Sequence, residues 1–102
     1  MIKKYNGKEL NIEKLVAEYA VWELYISPYG KFKVRVFYDG EKYTSHTNIM
    51  VIDQEGIYHS VTASSHTMED ILDETIQQFF KMTEWKKDWK EEDFDWVNPN
   101  EF

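Results

Sequence analysis

Three histidines, His46, His59 and His66, each stand beside a serine or threonine. Such neighbours suggest a metal centre, or a hydroxyl nucleophile served by an imidazole base. Metal centres are signalled by ligands at short, fixed spacing, as in H-E-x-x-H. The one local cluster is His66 with Glu69 and Asp70, and it lacks a second histidine. A Ser/His/Asp triad follows geometry and not chain order, so Ser45, Ser60 and Ser65 are all open as nucleophiles and none is favoured. There is no G-x-S-x-G elbow, no phosphate-cradling glycine loop and no dinucleotide fingerprint; the four glycines each fit a turn. Carboxylates are abundant, but a glycosidase needs a pair flanking a deep cleft, which a chain of 102 residues seldom encloses. With no cysteine there is no thiolate nucleophile and no cysteine-held zinc or iron. The expectation is a protein that is not an enzyme, with no cofactor and no metal.

Charge speaks more clearly. Residues 1–68 carry eight acids and eight bases, whereas 69–102 carry eleven acids and four bases, which accounts for the whole net charge of -7. In that last third the acids Asp88, Glu91, Glu92, Asp93 and Asp95 are interleaved with Trp85, Trp89, Phe94 and Trp96. Aromatic side chains dominate the energetics of protein interfaces, and clustered carboxylates steer a basic partner toward them. These nine residues are the candidate partner-binding surface. The competing reading is that the acids solvate a helix while the tryptophans pack onto the protein's own core. The acids of 69–74 are explained by the start of a helix, which narrows the functional claim to 84–96.

Lys31, Lys33 and Arg35 form a basic stripe on one strand face, with Lys42 across a hairpin. Nucleic acid binds such stripes. Here the net charge opposes phosphate, and lysines on a solvent face or sheet edge ordinarily prevent strand-to-strand aggregation, so direct nucleic-acid binding is not expected. The acidic tail could also fold back over the stripe.

The elements that hold these groups can be read from periodicity. Asn6-Gly7 marks a turn, and Asn11 is suited to cap a helix in which Ile12, Leu15, Val16 and Tyr19 share one face, from about 12 to 20. The period then becomes two. Trp22, Leu24 and Ile26 alternate with polar neighbours until Ser27-Pro28-Tyr29-Gly30, and Phe32, Val34, Val36 and Tyr38 alternate with basic residues up to Asp39-Gly40, a strong hairpin signal. Two further strand regions follow, 41–52 and 57–62, with Asn48 either bending one strand or separating two. Thr67 with Asp70 resembles a capping box, and Met68, Ile71, Leu72, Thr75, Ile76 and Phe79 predict a second helix over 68–82, its stripe broadened by Phe80. Beyond it, Pro99 forbids helix continuation. The expectation is an α+β fold: an N-terminal helix, an antiparallel meander of four to five strands, a C-terminal helix and an acidic aromatic tail. One domain, 1–102, divides into a folded core over 1–83 and the tail over 84–102. The N-terminus has the charge of a signal peptide without an apolar stretch behind it, and no run approaches a membrane span. A cytoplasmic location is expected.

In size, lack of cysteine, an Asn11-Ile12-Glu13-Lys14-Leu15 helix start, a β-meander and a late acidic segment from Asp88 to Trp96, the chain resembles small acidic anti-CRISPR and anti-restriction proteins of phages. That resemblance implies a stoichiometric inhibitor, often a DNA mimic, acting in the host bacterial cytoplasm on a basic, nucleic-acid-binding effector. This chain is less acidic than that class and richer in tryptophan, which bears on mimicry more than on inhibition. Two alternatives stand beside it. One is an immunity or antitoxin protein neutralising a basic toxin by the same electrostatics, and the other a small hydrolase or metal enzyme using the histidines.

Overall fold

A computed structural model of the chain describes residues 1–97. The last five residues of the expected tail, with Pro99, lie outside them. The described residues form seven strands and one α-helix: β1 (Ile2–Tyr5), β2 (Lys8–Asn11), β3 (Lys14–Trp22), β4 (Lys31–Tyr38), β5 (Tyr43–Ile52), β6 (Tyr58–Ser65), α1 (Met68–Met82) and β7 (Phe94–Trp96), with a 3-10 turn over Glu91–Asp93.

The expected α+β fold with an N-terminal helix is overturned, because the protein is mostly β and the stretch assigned to that helix is β3. Ile12, Leu15, Val16 and Tyr19 sit at helical spacing, but a bulged strand imitates that spacing. The register with β4 pairs Leu15 with Phe37 and Ala17 with Val36, leaving Val16 as the extra residue. Beyond the bulge, Ala17, Tyr19 and Val21 face Val36, Val34 and Phe32, and all three pack on the core. Helix propensity is a weak prior, and here it yields to a strand partner whose apolar face needed continuing. Asn11 caps nothing: its side chain accepts from the N-terminal ammonium at 3.4 Å. Before β3, the hairpin β1–β2 turns at Asn6-Gly7, where both residues adopt positive φ (53° and 78°), as a two-residue hairpin turn requires.

The main sheet runs β3-β4-β5-β6, all antiparallel, and β7 joins the C-terminal half of β5. β5 is one strand across Asn48, with a register shift between His46 and Met50 that preserves its alternation: Ser45, Thr47, Ile49 and Val51 all face inward. β3 carries only Val21 and Trp22 of its expected 21–26 strand. After it, Glu23 turns the chain with a buried carboxylate that accepts from the amides of Tyr25, Ile26 and Ser27. A buried charge persists only when so bonded.

The inner sheet face is covered by α1, which occupies Met68–Met82 as its periodicity indicated, though it is not the terminal element. Thr67 caps it by accepting from the Asp70 amide. Ile71, Thr75 and Phe79 are fully buried, with the Phe79 ring 5.0 Å from that of Phe32. Inside this apolar layer runs a directional hydrogen-bond chain. The Ala63 amide donates to Ser45 Oγ (3.1 Å), and Thr75 Oγ1 donates to the Ile71 carbonyl (2.6 Å), so Ser45 must donate to Thr75 (2.5 Å). Each buried hydroxyl in this chain therefore both donates and accepts, as burial demands.

Candidate functional site

The segment after α1 does not hang free. Thr83 closes the helix, its hydroxyl donating to the carbonyls of Phe79 and Phe80. Trp89 then folds back, its indole N–H shared between the carbonyls of Thr83 (3.1 Å) and Lys86 (2.9 Å), and its ring lies 5.3 Å from the buried Phe94. Asp93 is the clasp. Its carboxylate accepts from Lys86 Nζ at 2.6 Å and from the Lys90 amide at 2.8 Å, while its own amide donates to the Lys90 carbonyl. Burial pushes the Asp93 carboxyl up, but the Lys86 ammonium and the Lys90 amide outweigh it and hold the group below the usual carboxylate range. The Asp93 side chain is 9% exposed and that of Lys86 30%, so the carboxylate end of the pair is the one shielded from solvent.

Past the clasp, β7 pairs Phe94 with Val51 and Trp96 with Ile49, and the Val97 amide donates to the Asn48 carbonyl. Trp96 packs on Tyr29 at 4.5 Å, and the Tyr58 hydroxyl donates to the Glu92 carbonyl. Burial, and then the negative charge of Glu91 and Asp95, raise the Tyr29 phenol above its ordinary pKa.

The nine candidate residues therefore separate by structure. Phe94 and Asp93 are buried, and Trp89 and Trp96 are half-buried against the core. Trp85, Asp88, Glu91, Glu92 and Asp95 remain exposed. Four of the five acids face solvent, Asp93 being buried; the aromatics, with one exception, turn inward. That exception is Trp85, 39% exposed and stacked edge-on at 5.4 Å against Trp89, which holds it in place.

Phe80 joins it. Adjacent helical residues differ by about 100° in direction, so with Phe79 in the core Phe80 must point elsewhere, and it is 42% exposed. Reading both phenylalanines as one stripe concealed this. Two shallow grooves meet here, sharing Gln78 and Lys81. One, of about 580 Å³, is lined by Trp85, Met82, Asp53, Glu55 and His59, and the other by Phe80, Glu74 and Glu84. Two exposed aromatics thus lie in a field of carboxylates drawn from α1, from its C-terminal extension and from the β5–β6 turn.

Of the three histidines, His59 lines the groove beside Trp85, whereas His46 lines a separate one with Met1, Asp39 and Lys42. The His59 Nε2 lies 2.6 Å from Asp53 Oδ2, and Asp53 also accepts from the amides of Glu55 and Ile57. The Ile57 amide first, then His59, hold the Asp53 carboxyl below its usual range. This carboxylate organises a turn. His46 pairs with Thr62, on the sheet face opposite to that of His59, so the two do not converge. No metal-holding group of three ligands occurs among the described residues.

The basic stripe lies on the outer sheet face, where Glu18 of β3 reaches Arg35 at 3.5 Å and Lys33 at 4.0 Å, and Lys31 lies 5.0 Å over the Trp22 ring. Helix α1 lies over the other, inner face, while Asp95, paired with Met50, points to the same side of the sheet as the stripe. Among the described residues no helix is long and apolar enough to cross a membrane. Comparison of the chain with protein-family models, curated proteins and solved structures finds no match.

Proposed function

We propose that this protein is a non-enzymatic binding protein whose acidic helix side docks onto a basic protein, the kind of surface that otherwise holds nucleic acid. The observation that carries this is the exposure of Phe80 and Trp85 among Glu74, Glu84, Asp53 and Glu55, while the remaining aromatics of 84–96 are spent on the protein's own core. An exposed aromatic pair ringed by polar groups is the composition of an interface anchor and its rim. Asp88, Glu91, Glu92 and Asp95 extend the same sign of charge along one flank and would steer association. By occupying a basic groove the protein would exclude phosphates and so inhibit its partner stoichiometrically.

The test is capture from bacterial lysate with mass-spectrometric identification, followed by binding measurements on the partner recovered. Trp85→Ala should weaken binding by about 2 kcal/mol, roughly thirtyfold, because a central aromatic anchor is lost. Neutralising Glu74, Glu84, Asp88, Glu91, Glu92 and Asp95 together should slow association and flatten its salt dependence. Unchanged binding in both variants refutes the reading, as does a captured partner with an acidic surface.

A further inference from the structure

Of the fourteen large apolar side chains that stand exposed among the described residues, ten lie between Met1 and Tyr25: Met1, Ile2, Tyr5, Leu10, Ile12, Leu15, Val16, Trp22, Leu24 and Tyr25. Every residue from Met1 to Val16 is exposed, and the β1–β2 hairpin buries no side chain. An isolated hairpin is marginal in water, and exposed apolar side chains gathered in one part of a chain mark an interaction site. The molecule is correspondingly drawn out, 50 Å long with a radius of gyration of 15.2 Å, where a compact chain of this length has about 13 Å.

Between the two apolar clusters runs β3, which among the described residues pairs with β4 alone and presents its other edge. Long apolar edges are normally blunted by charge, proline or bulges. β3 has a bulge, but only at Val16, and from Ala17 to Trp22 it is regular. That stretch holds one charge, Glu18, already turned to Arg35 and Lys33 of its own chain.

We infer that β3 pairs antiparallel with β3 of a second copy of this chain, about a two-fold axis at Ala20, to form a homodimer with one continuous sheet of ten strands, five from each copy. The arrangement of the apolar clusters selects this occupant. They flank β3, with the hairpin, Leu15 and Val16 at one end and Trp22, Leu24 and Tyr25 at the other. Antiparallel self-pairing lays each end on the opposite end of its partner, so one patch is its own complement, as a two-fold interface requires. Charge selects the axis. Centred on Glu18, pairing would oppose two carboxylates, and centred on Tyr19 it would leave them diagonal neighbours. Centred on Ala20, each Glu18 faces Trp22 of the other copy, with Lys31 stacked over that ring. Residues 1–25 are also about the 20–30 residues that each side of a stable interface supplies. Both copies of α1 then lie on the same side of the joined sheet. The inference does not depend on the proposed partner-binding role.

The test is mass in solution together with a cross-link. Sedimentation equilibrium of the wild-type protein at tens of micromolar should give twice the 12.3 kDa chain mass. Leu24→Glu with Tyr25→Glu, at side chains 73% and 94% exposed, should return the monomer mass with an unchanged circular dichroism spectrum. Because the chain has no cysteine, Ala20→Cys adds a single thiol, and residues opposite on the axis have Cα atoms about 4.5–5.5 Å apart, within disulfide range. Oxidised glutathione should then convert it to a covalent dimer. A monomeric wild type, a Leu24→Glu/Tyr25→Glu variant that stays dimeric, or an Ala20→Cys dimer that fails to cross-link overturns the inference.

Discussion

Asp93→Ala should release the segment after α1, and its cost can be worked from the clasp. The carboxylate makes a charge-assisted bond to Lys86 Nζ at 2.6 Å and a second bond to the Lys90 amide at 2.8 Å. Breaking a fully buried pair costs about 3–5 kcal/mol, and each hydrogen bond to a charged group contributes about 1.5–3 kcal/mol. Here the Asp93 side chain is 9% exposed but that of Lys86 is 30% exposed, so the freed ammonium regains water and the loss falls to about 2–3 kcal/mol. For a domain of this size that lowers the melting temperature by about 10–20 °C. Acid supplies a second readout. The folded carboxyl titrates below its unfolded value, so as pH falls the unfolded chain takes up the proton first. The stabilisation is therefore present above the ordinary carboxylate pKa of about 3.9 and is lost as pH falls through the folded value. Thermal unfolding of both proteins, followed by circular dichroism from pH 7 down to about pH 2, should show a gap that is wide at neutrality and closes below about pH 4. A variant that melts within about 3 °C of the wild type at pH 7, or a gap that persists undiminished in acid, refutes the reasoning.

Trp89→Ala should cost about 3 kcal/mol of stability by urea denaturation, since the ring packs on Phe94 and its N–H is bonded; an unchanged midpoint would return Trp89 to the partner surface. Thr75→Val removes the acceptor of the Ser45 hydroxyl in the core and should cost about 1–3 kcal/mol; adding Ser45→Ala should cost less than the sum of the two single changes, and strict additivity would deny the coupling. His59→Ala should raise the Asp53 pKa only part of the way toward normal in an NMR titration, because the Ile57 amide is the larger cause. Stability from this turn is present above the ordinary carboxylate pKa and lost as pH falls through the depressed value, and a full return to normal would show that the imidazole alone holds it.

How far the site was legible differs residue by residue. Asp88, Glu91, Glu92 and Asp95 are exposed because four charges without apolar cover have nowhere else to go. Asp93 belongs to the same run, and only the return of Lys86 over the 3-10 turn makes it a buried clasp. Trp89, Phe94 and Trp96 carry both readings equally, since an aromatic serves a core or an interface by the same burial of area. Phe80 was the legible miss: its position one residue past Phe79 places it off the core face by helical geometry alone. The Asp53 and Glu55 carboxylates join the groove only because the β5–β6 turn comes beside the end of α1, a contact between segments far apart in the chain.

The same division holds for the fold. Alternation in β4, the Asp39-Gly40 turn and the apolar stripe of 68–82 are local facts, because a strand or helix with one buried face must repeat its apolar residues at that period. The sequence by itself determined these elements, the antiparallel run of β4, β5 and β6 in outline and the acid-rich character of the last third. What only tertiary structure decided is the state of 12–20 and the fate of the tryptophans. Ile12, Leu15 and Val16 look like a helix face because they are apolar and evenly spread, yet the strand pairing of Ala17, Tyr19 and Val21 with β4 outweighs any helical preference and leaves the three exposed. Pairing energy depends on the partner strand and burial depends on what lies across the sheet, and neither is a property of the segment that is being read.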